Sequence, residues 1–557
     1  MKLISFTLLG ENFRSLPANY PFFKLDHEDP PGRLSTKCLA GLNGSGKSNL
    51  LEAVAEVFAY LERHLLEKGD QKRGIGLGFD LQYQLPATRT LVKKFFPKDK
   101  GIPKETVLYV KVAKYQDEAP EFSVSHEKST GPLFTRADAN QKLLLPNYIV
   151  GYSSGHNELL SHPFQQLKYH YWQLPQNAKT LQLQHQRMFF VDGDSNKYLL
   201  LANFLMGKSN KQKLLNQVYG VTGLHSFRIT INLHDAQGKE ITFSEFSLGL
   251  IQQLKSCATL WDEQAVYEVV KKKKGKNQRK QLILDYLVTP ATQEAFHYFF
   301  EESAMEFYQA LAYLETLNLQ LYPESVLQRM ASPWRKESHL GDLPELDPNE
   351  RVFRVESIRI NKIVNESTGA TTPIPYRHLS DGEHQFNQII GTMMLLETPG
   401  CLLLLDEPDT HFNPKWRSRL LQLLHHMAAK DMDDEGGFTE VLQQEVILTT
   451  HSPFAISDSY REDVYLFEKN EGKITVSKPP VPTFGASTGV ILEHVFKKDH
   501  TIAHLAHQEL EAIKAMATSL QGIEKARERL YGFGESIEKY DAIRYLRARE
   551  KELKSES

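Results

Sequence analysis

The feature that most constrains the fold is an eight-residue loop near the start of the chain. Residues 41 to 48 read GLNGSGKS and match the pattern G-x-x-x-x-G-K-[S/T]. The apolar segment KCLAG leads into the loop, and apolar residues at helical spacing follow it from Leu50 to Leu61. The sequence therefore predicts a strand, a glycine-rich turn and a helix, which is the context in which this pattern binds phosphate.

The residue types in this loop indicate a phosphate and magnesium site. Glycines let successive backbone N–H groups turn inward around an anion, and we expect Asn43, Gly44, Ser45 and Gly46 to form that cradle. Lysine provides a mobile positive charge and serine a hydroxyl ligand for Mg²⁺. Both residue types follow directly in the sequence as Lys47 and Ser48.

Two later apolar segments end in polar residues suited to the same site. CLLLLDEP places Asp406 at the end of a strand, where a carboxylate can hold Mg²⁺, and Glu407 beside it can polarise an attacking water. LTTHSPF places His451 at the end of the next such strand. Because the carboxyl ends of parallel strands meet at one edge of a sheet, the three side chains are expected on one rim.

The segment LSDGE, from Leu379 to Glu383, comes shortly before the first of these strands. By itself it predicts a helix start near His384, with Ser380 or Asp381 as the capping residue and Glu383 in the first turn.

The four motifs GLNGSGKS, LSDGE, LLLLDEP and TTHS, in this order, resemble the ABC-type ATPase heads of the SMC and RecF group. The early phrase NFRSL, at residues 12–16, is also similar to that group. The resemblance implies ATP and Mg²⁺ as ligands, with Ser48 and Asp406 on the metal. It further implies that two heads close together, so that the chain forms a homodimer or a higher even oligomer.

The resemblance also implies roles for further residues. Ser380 and Gly382 would bind the γ-phosphate of ATP held by the opposite protomer, and Asp409 would lie near the loop that joins the two sites. Arg14 would lie close enough to contact the nucleotide. Asp381 departs from the family pattern, since transporters of this fold usually have glycine there.

A second departure concerns the glutamine that this family carries after the strand ending at Val150. The sequence continues GYSSGHNE, and Ser153 and Asn157 are the candidates for the equivalent residue.

Length and composition fit a folded protein of several units. The chain has 557 residues, too many for one ordinary core, and a hydrophobic content of 41%. The formal net charge of −3 does not indicate a nucleic-acid or membrane partner beyond a local patch. No apolar stretch reaches the roughly 18 to 20 residues of a membrane span, and three distant cysteines suit a reducing cytoplasm. We therefore expect a cytoplasmic location and no membrane partner.

The fold class that we expect is α/β, an ABC-type P-loop ATPase head with an antiparallel β subdomain. Residues 1–155 form its N-terminal lobe and residues 351–490 its C-terminal lobe, which carries the signature, the Asp-Glu strand and His451. Between them, residues 156–350 read as a mostly helical insertion, in which HSFRITINLHD and KEITFSEF form a hairpin before helical sequence resumes from about Leu248 to Met330. Residues 491–557 read as a helical C-terminal module that binds a partner.

Looser phrases indicate which member of the group the chain resembles. GYSSGHNE, the short helical insertion and TFGASTGVILEHVFKKD are similar to restriction-associated AAA-family ATPases, in particular the ATPase subunit of Septu anti-phage systems, some of which accompany retrons. This resemblance implies an antiviral defence ATPase that controls a small HNH nuclease. In the retron version, a reverse transcriptase with its RNA–DNA hybrid would be a further partner.

Other interpretations stay open. A RecF-like DNA-repair ATPase and a slow-hydrolysing nucleotide sensor or scaffold would carry the same nucleotide motifs. The basic run KKKKGKNQRK, from Lys271 to Lys280, is either a solvated helix end or loop, or a nucleic-acid contact. The acidic DMDDEGG at 431–437 has the composition of an exposed loop, and we expect no metal and no nuclease site there.

Overall fold

A computed structural model of the chain describes most of its residues. The described ranges are 1–24, 33–66, 77–99, 101–116, 118–126, 134–155, 158–173, 186–207, 211–212, 216, 218–267, 278–331, 346–365, 367–429, 441–498 and 500–556. Asn157, Lys271 to residue 277 of the basic run, and the acidic segment 431–437 lie outside these ranges.

The strands are β1 (Lys2–Leu9), β2 (Pro21–Lys24), β3 (Ser35–Gly41), β4 (Gly78–Thr88), β5 (Glu105–Lys114), β6 (Glu121–His126), β7 (Thr135–Arg136), β8 (Ile149–Ser153), β9 (Met188–Phe190), β10 (Val221–Asn232), β11 (Leu260–Tyr267), β12 (Gln278–Leu287), β13 (Phe353–Asn365), β14 (Ala370–Pro375), β15 (Leu402–Asp406), β16 (Glu445–Thr449), β17 (Val464–Asn470) and β18 (Lys473–Ser477).

The α-helices are α1 (Lys47–Leu66), α2 (Arg89–Phe95), α3 (His162–Gln173), α4 (Gly193–Met206), α5 (Glu245–Cys257), α6 (Pro290–Phe299), α7 (Ala304–Thr316), α8 (Glu324–Ala331), α9 (Asp381–Leu395), α10 (Pro414–Arg417), α11 (Leu420–Ala428), α12 (Pro453–Ser457), α13 (Thr488–His494), α14 (His504–Ala515), α15 (Leu520–Leu530) and α16 (Ile537–Glu556).

A seven-stranded sheet, in the order β18-β17-β3-β16-β15-β8-β9, lies at the centre of the fold. Its strands from β17 to β9 are parallel, and β18 pairs antiparallel at one edge. Every residue of β3, β15 and β16 is buried, as expected for strands that are covered on both faces. The carboxyl ends of these three neighbouring strands therefore meet at one rim, where the glycine-rich loop begins.

Two antiparallel sheets flank this core. The first has the order β2-β1-β4-β5-β6-β7, and its apolar residues pack with the apolar face of α1 in one cluster. The second has the order β11-β12-β10-β13-β14. The chain is thus a mixed α/β protein, as the sequence predicts.

The middle region differs in part from its expected helical character. Residues 156–350 include helices α3 to α8, but they also contribute strands β9 to β12, and of these β10 lies at the predicted strand HSFRITINLHD while KEITFSEF forms no named strand. The expectation of continuous helix from Leu248 to Met330 is wrong at β11 and β12, which form an antiparallel pair. In QLILDYL, Leu282, Ile283, Leu284 and Tyr286 are all buried, so the segment is a short apolar run, which is compatible with a buried strand as well as with a helix.

The boundary expected near residue 350 does not separate two sheets. Strand β10, within 156–350, pairs antiparallel with β13, which begins at Phe353. Strand β9 likewise extends the central sheet by pairing in parallel with β8. The middle segment is therefore joined to β13 and to the central sheet by backbone hydrogen bonds as well as by packing.

The three helices α14, α15 and α16 enclose a small apolar core of their own. Its buried members include Leu510, Ile513, Ile523, Leu530 and Leu546. Among the described residues, no helix combines the length and the apolar character needed to cross a membrane.

Helix α1 is sandwiched between the central sheet and the first antiparallel sheet, and this position buries carboxylates. Glu56 lies buried on α1, and burial raises the pKa of its side chain to about 8, assisted by the nearby Glu52. The side chain is consequently neutral in the folded protein at pH 7. In the unfolded chain its pKa returns to 4.5.

This difference predicts a pH dependence of stability. A folded-state pKa above the unfolded one means that stability is fully present below pH 4.5 and is lost as pH rises toward about 8. Replacing Glu56 with glutamine removes the ionisable group. We expect the stability of Glu56→Gln relative to the parent to rise across this window, by at most about 1.4 kcal/mol per pH unit.

Thermal melting of both proteins at about pH 5 and about pH 8 measures the effect. The matched control is Glu524→Gln, on the exposed face of α15. If the melting temperatures of Glu56→Gln and the parent shift in parallel over the whole window, the pKa of Glu56 does not differ between the folded and unfolded chain.

Candidate functional site

The glycine-rich loop joins β3 to α1 and depends on glycine for its shape. Gly41, Gly44 and Gly46 have φ values of 147°, 75° and 96°, in the left-handed region. A Cβ atom on Gly41 would lie 2.3 Å from the carbonyl oxygen of Phe467, and one on Gly46 would lie 2.5 Å from Ile474 Cδ1. A larger residue would clash with the backbone at Gly41 and would be strained by the positive φ at Gly46, so the loop holds a tight turn at the N-terminus of a 20-residue helix.

Lys47 is the first residue of α1 and folds back over this loop. Its Nζ donates to the carbonyl oxygens of Gly41, at 3.0 Å, and Leu42, at 3.1 Å. Burial lowers the pKa of Lys47, while the carboxylates of Glu407 and Asp406 act in the opposite direction. The ammonium group is therefore held inside the loop, close to the two consecutive acids at the end of β15.

Ser48 connects the loop to β15. Its Oγ donates to Oδ1 of Asp406 at 2.8 Å, although 358 residues separate the two in sequence. The hydroxyl of Thr449, at the end of β16, donates to the same oxygen at 2.6 Å. Ser153, at the end of β8, lies 3.5 Å from Oδ2 of Asp406. The predicted magnesium residues are thus in direct contact.

Glu407 follows Asp406 and turns out of the sheet with a φ of 50°, an uncommon value for a residue with a side chain. Its backbone N–H donates to the Thr449 hydroxyl at 2.9 Å, which holds the turn in place. Its Oε1 lies 3.4 Å from Nε2 of His451. The hydrogen bond with His451 lowers the pKa of Glu407, against partial burial. Glu407 is therefore ionised at neutral pH.

The LSDGE segment starts α9 as the sequence predicts. Ser380 is the capping residue, its Oγ accepts from the backbone N–H of Glu383 at 3.3 Å, and Glu383 accepts in return from the Ser380 N–H at 2.8 Å. Glu383 is also paired with Lys362 of β13. Ser380 and Asp381 are exposed, whereas a Cβ on Gly382 would lie 2.7 Å from the carbonyl oxygen of His411.

The remaining predicted residues lie around this site. Asp409 is buried, which raises its pKa, and its Oδ1 accepts from Thr450 at 3.5 Å. Arg14 forms a two-pronged ion pair with Glu52 of α1, at 2.6 and 2.7 Å. Asn49 of α1 donates to the Ser15 hydroxyl at 2.7 Å, so the NFRSL phrase is attached to the helix that follows the loop.

Two residues of the site escape sequence reasoning. Thr449, which bonds both Asp406 and the Glu407 backbone, is the first residue of the TTHS motif, and its place at the end of an apolar strand was the available signal. Gln385 contacts the loop after Glu407, and the sequence carries no signal for that contact because it depends on how α9 packs.

The residues fit a triphosphate and Mg²⁺. The loop cannot tolerate Cβ atoms where its backbone turns, and it presents the N–H groups of a long helix N-terminus together with a buried ammonium. Ser48, Asp406 and Thr449 supply oxygen atoms, the donor type that Mg²⁺ prefers. Ser48 and Asp406 would hold the metal, and Lys47 would leave the two loop carbonyls for phosphate oxygens.

This combination of loop, helix and carboxylate on a parallel strand of the same sheet is typical of the nucleotide site of a P-loop NTPase. A family model described as "AAA domain, putative AbiEii toxin, Type IV TA system" matches residues 294–457. The matched range contains Ser380, Asp406, Glu407 and His451, while the P-loop lies before it. An AAA-family ATPase domain is therefore present in this chain. Domains of this family generally use ATP and Mg²⁺.

The chain is also similar to a curated protein over a shorter stretch. It is 26% identical over 123 residues to "Protein ea59" of Escherichia phage lambda. The match covers 22% of this chain and 21% of that protein. The chain thus spans about a fifth of the length of this relative.

Proposed function

We propose that the chain binds ATP with Mg²⁺ and hydrolyses it to ADP and phosphate. The observation that carries the proposal is the 2.8 Å contact between Ser48 and Asp406, because it joins the phosphate loop to the acidic strand end at one point. Lys47, buried beside them, supplies the positive charge that developing negative charge on the phosphates requires. Asn43, Gly44, Ser45 and Gly46 form the backbone cradle.

The chemistry at the γ-phosphate is assigned to the two residues beside this point. Bound Mg²⁺ would neutralise phosphate charge and orient the nucleotide. Glu407 is ionised and can accept a proton from the attacking water, which is the role of a general base. His451 holds the carboxylate of Glu407 through the 3.4 Å contact and can reach the γ-phosphate from the end of β16.

We assign the chain to the ABC-type heads that act in pairs. Three features support this assignment: the order of the four motifs, the capped helix start at Ser380, and the exposure of Ser380 and Asp381. A second copy could then receive Ser380 and Gly382 at its own phosphate site. Arg14 already donates to Glu52 through its Nε and Nη2 atoms, so a contact with nucleotide would compete with this ion pair.

We further propose that the assembly controls a small HNH nuclease in defence against phage. Support comes from the Septu-like phrases in the sequence and from the C-terminal helices, which have their own core. These helices expose Leu505, Tyr531 and Ile537 by 79%, 90% and 67%, the kind of apolar surface that binds a partner. A retron reverse transcriptase with its RNA–DNA hybrid is the further partner of this proposal.

Affinity purification from the native host tests the partner proposal. We expect a small HNH nuclease to copurify with the tagged parent. The variant Tyr531→Ser should lose the nuclease, while Tyr115→Ser, an exposed tyrosine of the N-terminal lobe, should retain it. Copurification of gapped DNA without a nuclease would favour a RecF-like repair ATPase instead.

A further inference from the structure

Gln385 lies in the first turns of α9 and makes a hydrogen bond from each end of its amide. Its Nε2 donates to the hydroxyl of Tyr152 at 3.0 Å, and its Oε1 accepts from the backbone N–H of His411 at 2.9 Å. The side chain is 1% exposed. One buried amide therefore joins α9 to β8 on one side and to the loop after Glu407 on the other.

The side chain at position 385 has to donate a hydrogen bond at one end and accept one from a backbone N–H at the other, and an amide can do both. A buried N–H without a partner costs about 1 to 3 kcal/mol. Leucine has a similar volume but would leave the His411 N–H and the Tyr152 hydroxyl without this partner. The two bonds therefore specify the position of the loop rather than merely filling space.

Other hydrogen bonds besides those of Gln385 also hold the loop from Glu407 to Phe412, and one of them joins the Thr410 and Ser154 hydroxyls at 2.9 Å. The Thr410 hydroxyl donates to the Glu407 carbonyl at 3.0 Å, and the Phe412 N–H donates to the Asp409 carbonyl at 3.1 Å. Arg417 donates to the carbonyl oxygens of Asp409, Thr410 and Phe412 at 3.2 to 3.3 Å. Gln385 is the attachment from α9 to the middle of the loop.

Gly382 adds a second contact between the same two segments. A Cβ there would lie 2.7 Å from the His411 carbonyl oxygen, so the start of α9 and the loop pack backbone against backbone. The N–H of His411 is bonded to Gln385 while its carbonyl faces Gly382. A displacement of the α9 start would consequently displace the loop that begins at Glu407.

We propose that Gln385 is a positioning residue that couples the start of α9 to the loop carrying Glu407 and Asp409. The proposal rests on the proposed ATPase function. When a second copy and its nucleotide engage the exposed residues Ser380 and Asp381, the two bonds of Gln385 transmit the resulting shift to the general base. Gln385 itself does not touch the nucleotide.

The test compares steady-state ATP hydrolysis of Gln385→Leu with that of Gln388→Leu. Gln388 lies one turn further along α9 and donates to the Asp192 carbonyl, away from the loop, so it is a matched control. We expect kcat of Gln385→Leu to fall roughly 10- to 100-fold, because small displacements of a catalytic group have effects of this size. The affinity for a fluorescent ATP analogue should stay within about twofold of the parent, since the phosphate loop is untouched.

Two conservative variants separate positioning from simple packing. Gln385→Glu keeps an acceptor for the His411 N–H and can accept from the Tyr152 hydroxyl, so it should recover much of the lost kcat. Tyr152→Phe removes the hydrogen bond between Gln385 and the Tyr152 hydroxyl but leaves the one between Gln385 and His411. Its kcat should therefore fall less than that of Gln385→Leu. The order expected in kcat is therefore parent first, the two conservative variants next and Gln385→Leu last.

The outcomes distinguish this inference from the proposed function. If the parent and Lys47→Ala hydrolyse ATP equally, the proposed ATPase function fails. If the parent hydrolyses ATP by way of Lys47 but Gln385→Leu matches Gln388→Leu in kcat, the positioning role fails alone. If Gln385→Leu unfolds, the kcat of Tyr152→Phe tests the positioning role instead. A kcat of Tyr152→Phe equal to that of the parent would overturn the proposed coupling.

Discussion

Replacing Lys47 with alanine should reduce ATP hydrolysis by roughly 100- to 1,000-fold and weaken nucleotide binding, because the charge that faces the phosphates is lost. The ammonium is buried, its pKa is lowered by that burial, and its bonds are to two loop carbonyls rather than to a carboxylate. Removing it therefore breaks no buried ion pair, and alanine favours the helix that begins there. We expect the melting temperature without nucleotide to stay close to that of the parent.

Phosphate release and the shift in melting temperature on adding MgATP measure this prediction together. The control is Lys469→Ala, an exposed lysine near the end of β17. Should Lys47→Ala retain both the parent rate and the parent stabilisation by MgATP, the loop would not be the site of the triphosphate.

The local pattern of the chain predicts the nucleotide site well because its determinants are local. Glycines that must adopt positive φ, such as Gly41 and Gly46, appear in the sequence as an unusual spacing. Fully buried parallel strands appear as continuous apolar runs, and β15 and β16 do so as CLLLLD and EVILT. Since such strands end at a common rim, the approach of Asp406 to Ser48 follows from two short segments.

The same local reasoning fails where pairing partners are distant. Strand β12 is an internal strand of its sheet, and its partners β10 and β11 lie on opposite sides of it. Its apolar run of Leu282, Ile283 and Leu284 fits a buried strand as well as a helix, and the pairing within the sheet determines which of the two forms. A boundary drawn by composition near residue 350 likewise cannot detect that β10 pairs with β13.

Gln385 illustrates the limit within the site itself. Its two partners are 233 residues away, at Tyr152, and 26 residues away, at His411. A glutamine on a helix is ordinarily a surface residue, and only the packing of α9 against β8 makes it a buried connector. Residues that contact ligand tend to fall in recognisable motifs, whereas residues that position them depend on the tertiary fold.

The second large effect is expected from Glu407→Gln. Glutamine keeps the shape of the side chain and cannot accept a proton from water, so hydrolysis should fall roughly 100- to 10,000-fold. Nucleotide binding should persist, since Lys47, Ser48 and Asp406 are unchanged and the Glu407 backbone N–H still reaches Thr449. Loss of the carboxylate also removes the acid that is paired with His451. The variant should therefore bind ATP and hold it.

If the start of α9 contacts the ATP that is bound by a second copy, a variant that keeps ATP bound should also stay associated with that copy. Light scattering of Glu407→Gln with MgATP should then show a dimer or a higher even oligomer that the parent forms only transiently. The matched control is Glu397→Gln, an exposed residue shortly before β15. Adding Ser380→Arg to Glu407→Gln should abolish the assembly, since a large side chain at the α9 start would block the approach. Turnover of Glu407→Gln equal to that of the parent would remove Glu407 from the chemistry, and because a slow-hydrolysing sensor needs no general base, that result would favour a sensor over an ATPase.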